Sequence, residues 1–257
     1  MAFTEAQLFD WLARFLWPLI RIGALLVAMP VFNSRSVPMR VRVILAVTVT
    51  VAVLPLLPSP PRVELIGLEA VLVAIRETMI GLAIGFVLQV SFAALVFAGQ
   101  NIAYSMGLGF AAMLDPQLGV QVPIVSQVYL LLATLLFLGL DGHLVMIELI
   151  AASFQALPPG LGAVGRDQLW LLVRWSATVF SAGVLLSLPI VIALLFVNIA
   201  LGVATRAAPQ LNIFSVGFPI TLLLGLGLIW LTLPQILERF AAGLPAAFEL
   251  VRKLLGV

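Results

Sequence analysis

Apolar residues run along this chain in long unbroken stretches rather than alternating with polar ones. The stretches lie near 11–32, 43–57, 78–104, 122–140, 175–204 and 212–233. Only the first contains charge, Arg14 and Arg21, one helical face apart. About 20 apolar residues in helix cross a hydrocarbon core, whereas a barrel strand needs 9–11, so each run predicts a helix and most predict a span. The second run is short for a span. A further apolar piece over 144–157, flanked by His143 and containing Glu148, reads as an amphipathic or peripheral helix. Between the runs stand turn residues: Asn33 to Pro38, Pro58-Ser59-Pro60-Pro61 and Pro158-Pro159-Gly160. None is a long linker, and no repeat of fixed period is present, so one domain is expected.

Composition sharpens this picture. Of the 257 residues, 63% are hydrophobic and 9% charged, against about 25% charged in an ordinary soluble domain. Thirteen basic and 11 acidic side chains cannot cover a water-facing surface of this size. The expected fold is therefore all-α, a polytopic set of apolar helices and helical hairpins. The basic residues are scattered and form no stripe that could follow a phosphate backbone, which argues against nucleic acid as a partner. With no cysteine, disulfides and thiolate metal sites are excluded. Residues 1–10 carry Glu5 and Asp10 but no basic residue, so the basic region of a signal peptide is missing and the first span is expected to stay in the mature protein. Arg35, Arg40 and Arg42 follow the first run, while Arg62, Arg76, Arg166, Arg174, Arg239, Arg252 and Lys253 fall on the other side of a six-span chain. That balance favours cytoplasmic termini.

Three features carry candidate function. Along 78–104, Gly81, Gly85, Gln89, Ala93, Val96 and Gln100 recur at three- and four-residue steps. This face of small and amide side chains asks for a protein neighbour, in the same chain or in another subunit. Next, Met106-Gly107-Leu108-Gly109-Phe110 leads through Met113, Leu114, Asp115 and Pro116 to Gly119 and Pro123. Glycines and prolines break the helix within an apolar stretch, which at membrane depth requires burial in protein or an aqueous cavity. The segment is either a membrane-edge turn or a movable constriction. Third, Arg206, Pro209, Gln210 and Asn212, followed by Gly217 and Pro219, form a polar hinge between two apolar runs. Pro209 stops the preceding helix and the amides can bond the freed ends, so a helical hairpin is predicted. Pro189 and Asn198 suggest a kink and an interhelical contact in the run before it.

Catalytic equipment is not apparent. His143 is the only histidine, and neither HExxH, GxSxG nor GxxxxGK[ST] occurs. His143 and Glu148 are five residues apart, a step that a helix spreads over different faces. No catalytic residue, metal ligand or cofactor is expected. The long runs after the first also lack the ionisable residues that mark many transporters. A small-molecule transporter or membrane enzyme remains the alternative.

The motif Met106-Gly107-Leu108-Gly109-Phe110-Ala111 with Asp115-Pro116, and Arg206-Ala207-Ala208-Pro209-Gln210-Leu211-Asn212-Ile213-Phe214 through Gly217-Phe218-Pro219, resemble the FliR/SctT family of the type III secretion export apparatus. So does Arg21-Ile22-Gly23-Ala24 with Pro30, Pro38, Arg40 and Arg42. The similarity covers essentially the whole chain. It implies an export-gate subunit in the bacterial inner membrane, in the flagellar basal body, within a helical assembly that can stand above the membrane plane. Implied partners are FliP-like and FliQ-like subunits, FlhB and FlhA, and unfolded flagellar export substrates, with lipid around them. The resemblance also divides the chain into a FliP-like portion, 1–174, and a FliQ-like hairpin with its tail, 175–257. It identifies Met106 to Gly119 with a plug loop in which Phe110 is the bulky residue.

Overall fold

The computed structural model describes residues 5–33, 37–57, 67–109, 123–160, 165–207 and 213–256, with side chains from residue 11 onward apart from 213–216. Every regular element among them is helical: α1 (Glu5–Ala28), α2 (Met39–Val53), α3 (Leu68–Ser105), α4 (Ile124–Gly139), α5 (Gly142–Ala156), α6 (Arg166–Ser176), α7 (Thr178–Ala207) and α8 (Ile213–Leu255), plus a 3-10 turn at Leu54–Leu56. Five helical stretches are long and apolar enough to cross a membrane, and a sixth if α4 and α5 count together. This is an all-α polytopic membrane protein.

Helix boundaries follow local chemistry. Pro38 precedes α2 in an extended conformation, and Pro55 enters the 3-10 turn that ends it. Asp141 separates α4 from α5 with φ 56°, a left-handed conformation that aspartate tolerates better than most residues. At the end of α3 the Gly107 N–H bonds the Tyr104 carbonyl and the Leu108 N–H reaches the Ala103 carbonyl, both at 3.0 Å. With Gly107 at φ 85°, these two bonds form a Schellman cap that stops the helix.

Three expectations change. The helix expected from residue 78 begins at Leu68, so Glu69, Arg76 and Glu77 lie on α3 rather than in a loop. The last helix runs to Leu255 instead of ending near 233. The piece over 144–157 is amphipathic but not peripheral: Met146, Leu149, Ile150, Ser153 and Phe154 of α5 are buried, while Leu144, Ile147 and Glu148 are exposed. In the first two cases a charged residue that seemed to end an apolar run is accommodated within a helix.

The chain forms two compact units built from interleaved segments. One contains residues up to Val90, Leu138–Ser176 and Leu244 onward; the other contains Ser91–Phe137 and Ala177–Gly243. In the first, Ala13 and Trp17 of α1 pack on Ala70 and Val73 of α3. Higher on the same helices the backbones approach closely. A Cβ at Gly81 would collide with the Arg21 carbonyl oxygen and lie 2.8 Å from the Ala24 Cβ, and one at Gly85 would run into Ala28. Trp175 of α6 donates its indole N–H to the Val87 carbonyl at 3.0 Å.

The second unit has an aromatic centre. Phe92 meets Phe137 and Phe240 edge-on, with ring centroids 5.8 and 5.0 Å away. Tyr129, Ala133 and Phe137, at helical steps along α4, are fully buried. Gly99 lets α4 come close, its Cβ position being 2.7 Å from the Ser126 Cα, and the Ser126 hydroxyl donates to the Val96 carbonyl at 2.9 Å.

Candidate functional site

The most tightly determined polar constellation is one that sequence reasoning missed. Arg21 on α1 and Glu77 on α3 are buried to 0% and 1% exposure. The Arg21 Nε donates to Glu77 Oε2 at 2.6 Å, and Nη2 donates to Oε1 at 3.1 Å, a bidentate pair. Nη1 donates to the Ser153 carbonyl and to its hydroxyl, both at 3.0 Å, and Nη2 also reaches the Leu157 carbonyl at 2.8 Å. All five guanidinium N–H groups are thus used. The Phe154 ring lies 4.2 Å from the guanidinium carbon, a cation–π contact that shields the group. Beside it, Arg76 donates to the Gly160 carbonyl at 3.0 Å, and the Gly160 backbone bonds the Glu77 carboxylate.

Together these bonds clamp the end of α5 and the Leu157–Gly160 turn onto α1 and α3. The sequence signal was present, an arginine inside the first run and a glutamate at the edge of the third. What it lacked was the pairing.

The predicted plug segment is described only at its start. Met106 is fully buried, its carbonyl accepts from the Thr221 hydroxyl at 3.3 Å, and its side chain sits on Gly225, where a Cβ would come within 2.5 Å of it. Thr221 and Gly225 are one turn apart on α8, so that helix holds the point where the segment leaves α3. Gly107 is the left-handed cap, Leu108 completes it, and Gly109 lies against the Tyr104 ring. Phe110, Met113, Leu114, Asp115, Pro116 and Gly119 lie outside the described residues.

Of the hinge residues, Arg206 lies in the last turn of α7 and is exposed, Gly217 is buried in α8, and Pro219 is exposed. Pro209, Gln210 and Asn212 lie outside the described residues. The helices end at Ala207 and begin again at Ile213, and they border a common notch through Ile190 and Ile236. A five-residue connection between adjacent helices makes a hairpin.

The glycine and amide face divides. Gly81 and Gly85 are covered by α1 of the same chain, so of the two neighbours expected for this face, same chain or other subunit, α1 takes these two positions and their missing side chains are used for internal packing. Gln89 is exposed and, with Asn33, lines an apolar cavity of about 520 Å³ bounded by Met79, Leu82, Phe86, Leu169 and Leu172. Gln100 is half-buried, and Asn198 is exposed on α7 between Phe196 and Ile199, themselves 68% and 56% exposed. An amide on such a surface has no hydrogen-bond partner in lipid.

Among the described residues no group of three or more His, Asp or Glu side chains could hold a metal ion. Neither Arg21 nor Glu77 borders the 520 Å³ cavity. The arrangement is one of packing, clamping and exposed apolar surface.

Comparison with known proteins places this architecture. The chain is 39% identical over 233 residues to the flagellar biosynthetic protein FliR of Escherichia coli (strain K12), covering 91% of this chain and 89% of that protein. It is 40% identical over 236 residues to the protein of the same name from Pectobacterium carotovorum subsp. carotovorum, covering 92% and 90%. With that of Bacillus subtilis (strain 168) it shares 31% identity over 217 residues, 83% of each chain. Residues 12–245 match the family described as Bacterial export proteins, family 1. The match takes in every helix from α1 through most of α8, and the chain belongs to that family.

Proposed function

We propose that this chain is a non-enzymatic pore and gate subunit of the flagellar type III protein export apparatus in the bacterial inner membrane. The observation that carries the reading is similarity over about nine-tenths of the chain to proteins named for flagellar biosynthesis. The chain passes unfolded flagellar proteins, with FliP-like and FliQ-like subunits around it and FlhB and FlhA beside it. Its FliP-like portion is 1–174 and its FliQ-like hairpin and tail are 175–257.

Helix length supports an assembly that projects above the membrane. At 1.5 Å per residue, α3 with 38 residues and α8 with 43 extend about 57 and 64 Å, against roughly 30 Å of hydrocarbon. Exposed amides at Gln89 and Asn198 support contacts with other subunits. Met106 to Gly119 acts as the plug that seals the channel at rest, its start held by Thr221 and Gly225 and its bulk supplied by Phe110.

The Arg21–Glu77 pair gives the transporter alternative its best observation, because ionisable residues inside spans often mark transport paths. Its geometry argues otherwise. Every guanidinium proton already has a protein partner, which leaves none to meet a substrate.

The test is complementation. Expressed in an Escherichia coli strain lacking its own FliR, the chain should restore swimming and the release of flagellar proteins into the medium, and should co-purify with FliP-like and FliQ-like subunits. A correctly inserted chain that restores neither export nor co-purification would overturn the proposal.

A further inference from the structure

The 520 Å³ cavity is lined by residues of the first unit alone, from α1, α3, α6 and the segment after α1. Its two ends differ. Gly81 meets Arg21 and Ala24, and Gly85 meets Leu25 and Ala28, so α1 and α3 run side by side in the same direction. Gln89, one turn beyond Gly85, is therefore level with the segment past Ala28, and there Asn33 also lines the cavity. Met79, Leu82, Phe86 and Gln89 make an exposed stripe along α3 that is apolar up to its last member. From Met79 to Gln89 the helix rises about 15 Å. That is the depth of one leaflet, half of a hydrocarbon core about 30 Å thick. Leu169 of α6 faces the stripe with more carbon.

The Asn33 end is cationic. Asn33 Oδ1 accepts from Arg42 Nη1 at 3.3 Å, and Arg42 Nη2 donates to the Val37 carbonyl at 3.1 Å. The guanidinium is thereby fixed at this end, and the Asn33 amide, its oxygen engaged, still offers its N–H donors. The elements around it are poor in acid. No acidic residue stands between Asp10 and Glu64, and none follows Glu77 on α3. On α6 the acid, Asp167, lies in the first turn, whereas it is the last turn that reaches this level, through the bond from Trp175 to Val87.

We infer that the cavity holds one anionic phospholipid, an acyl chain along the stripe from Met79 to Phe86 and the phosphate at Arg42 and Asn33. Arginine and amide N–H groups are the donors that phosphate oxygens accept from, and basic pockets between membrane helices bind anionic headgroups. Two matches carry the assignment together: an apolar cleft of leaflet depth, and a fixed cation with free amide donors at one end of it only. An amphiphile with one charged head and a tail of that depth needs both. A partner helix in the cleft would need only the first. The inference rests on the chain lying in a membrane and not on its role in export.

The test uses the full chain in nanodiscs of equal phosphatidylglycerol and phosphatidylcholine, with the lipids it keeps counted by native mass spectrometry. The wild-type chain should keep one phosphatidylglycerol. Arg42→Gln should lower the preference for it about fivefold, and Arg40→Gln, the same loss of charge at an exposed residue, should change it much less. Ala83→Phe, which fills the cleft from its α3 wall and keeps the cation, should abolish retention. Equal retention of the two lipids by the wild type, equal losses from Arg40→Gln and Arg42→Gln, or undiminished retention in Ala83→Phe would each overturn the site. If Ala83→Phe is not monodisperse, Ala83→Cys in the otherwise cysteine-free chain carries a maleimide–benzophenone probe in native membranes. Crosslinks to phospholipid support the site, and crosslinks confined to protein refute it and give the cleft to a partner subunit.

Discussion

Replacing Glu77 by leucine leaves the Arg21 guanidinium fully buried with two of its five N–H groups unpaired and its charge uncompensated. Breaking a buried pair in this way costs about 3–5 kcal/mol. Removing both members is a different perturbation. In Arg21→Met/Glu77→Leu the charge disappears from both helices, and the cost that remains beyond the Gly160 N–H, which loses its carboxylate in both variants alike, is the acceptors that Arg21 leaves behind. The Ser153 carbonyl keeps the Leu157 N–H at 2.9 Å, and the Ser153 hydroxyl donates to the Ile150 carbonyl at 2.6 Å. The Leu157 carbonyl is then the acceptor most clearly deprived of its donor, at about 1–3 kcal/mol. The double variant should therefore be more stable than Glu77→Leu by roughly 2 kcal/mol, a coupling far outside the additivity expected of independent sites. Exchanging the charges, Arg21→Glu/Glu77→Arg, should not rescue, because a carboxylate at position 21 would face the Ser153 and Leu157 carbonyls. Unfolding of the purified chain in mixed detergent micelles, followed by tryptophan fluorescence, measures all four proteins. Equal loss in Glu77→Leu and the double variant, or full stability of the exchanged pair, would refute the clamp.

Gly81→Leu should destabilise the chain by about 1–3 kcal/mol through collision with α1, whereas Gln89→Leu should leave stability unchanged within about 0.5 kcal/mol and reduce co-purification of partner subunits; the same unfolding assay and an affinity pull-down separate the two. Replacing Leu108, Phe110 and Leu114 together with serine should raise ion permeability and slow growth when the whole complex is expressed, because an apolar constriction excludes ions by dewetting. In the cysteine-free chain a cysteine at Phe110, crosslinked to one on a pore-lining partner, should block export until reduced; unchanged conductance in the serine variant of an assembled complex would return the segment to a plain turn. Pro209→Ala, Gln210→Ala and Asn212→Leu should lower complex recovery and swimming while membrane insertion, read by fractionation, stays intact, since insertion depends on the apolar runs and docking on the hinge.

Much of the fold was legible because the solvent leaves a strong mark on composition. Runs as long as 175–204 and 212–233 admit little besides apolar helix, and the positions of Gly107 and Pro38 announced helix boundaries that the backbone bears out. A break between the last two apolar runs was expected near Pro209, and α7 does end at Ala207 and α8 begin at Ile213, while the roles expected of Pro209, Gln210 and Asn212 lie outside the described residues. The small residues at Gly81 and Gly85 announced a close approach of backbones, but one face of a helix does not name its neighbour. Only the tertiary structure supplied α1 of the same chain.

The charges were read least well, and for one reason. Along a sequence, a lone ionised side chain marks the end of an apolar run, because desolvating it without a partner is prohibitive. On that rule Glu77 belonged to a loop, and the helix containing Glu148 belonged at the periphery. In the folded chain Glu77 faces Arg21 from 56 residues away, and Ser153, Leu157 and Gly160 complete the set. Composition alone determined that this protein is a set of apolar helices; the tertiary structure decided which charges enter them, because a buried charge is tolerated only beside a partner that sequence distance conceals.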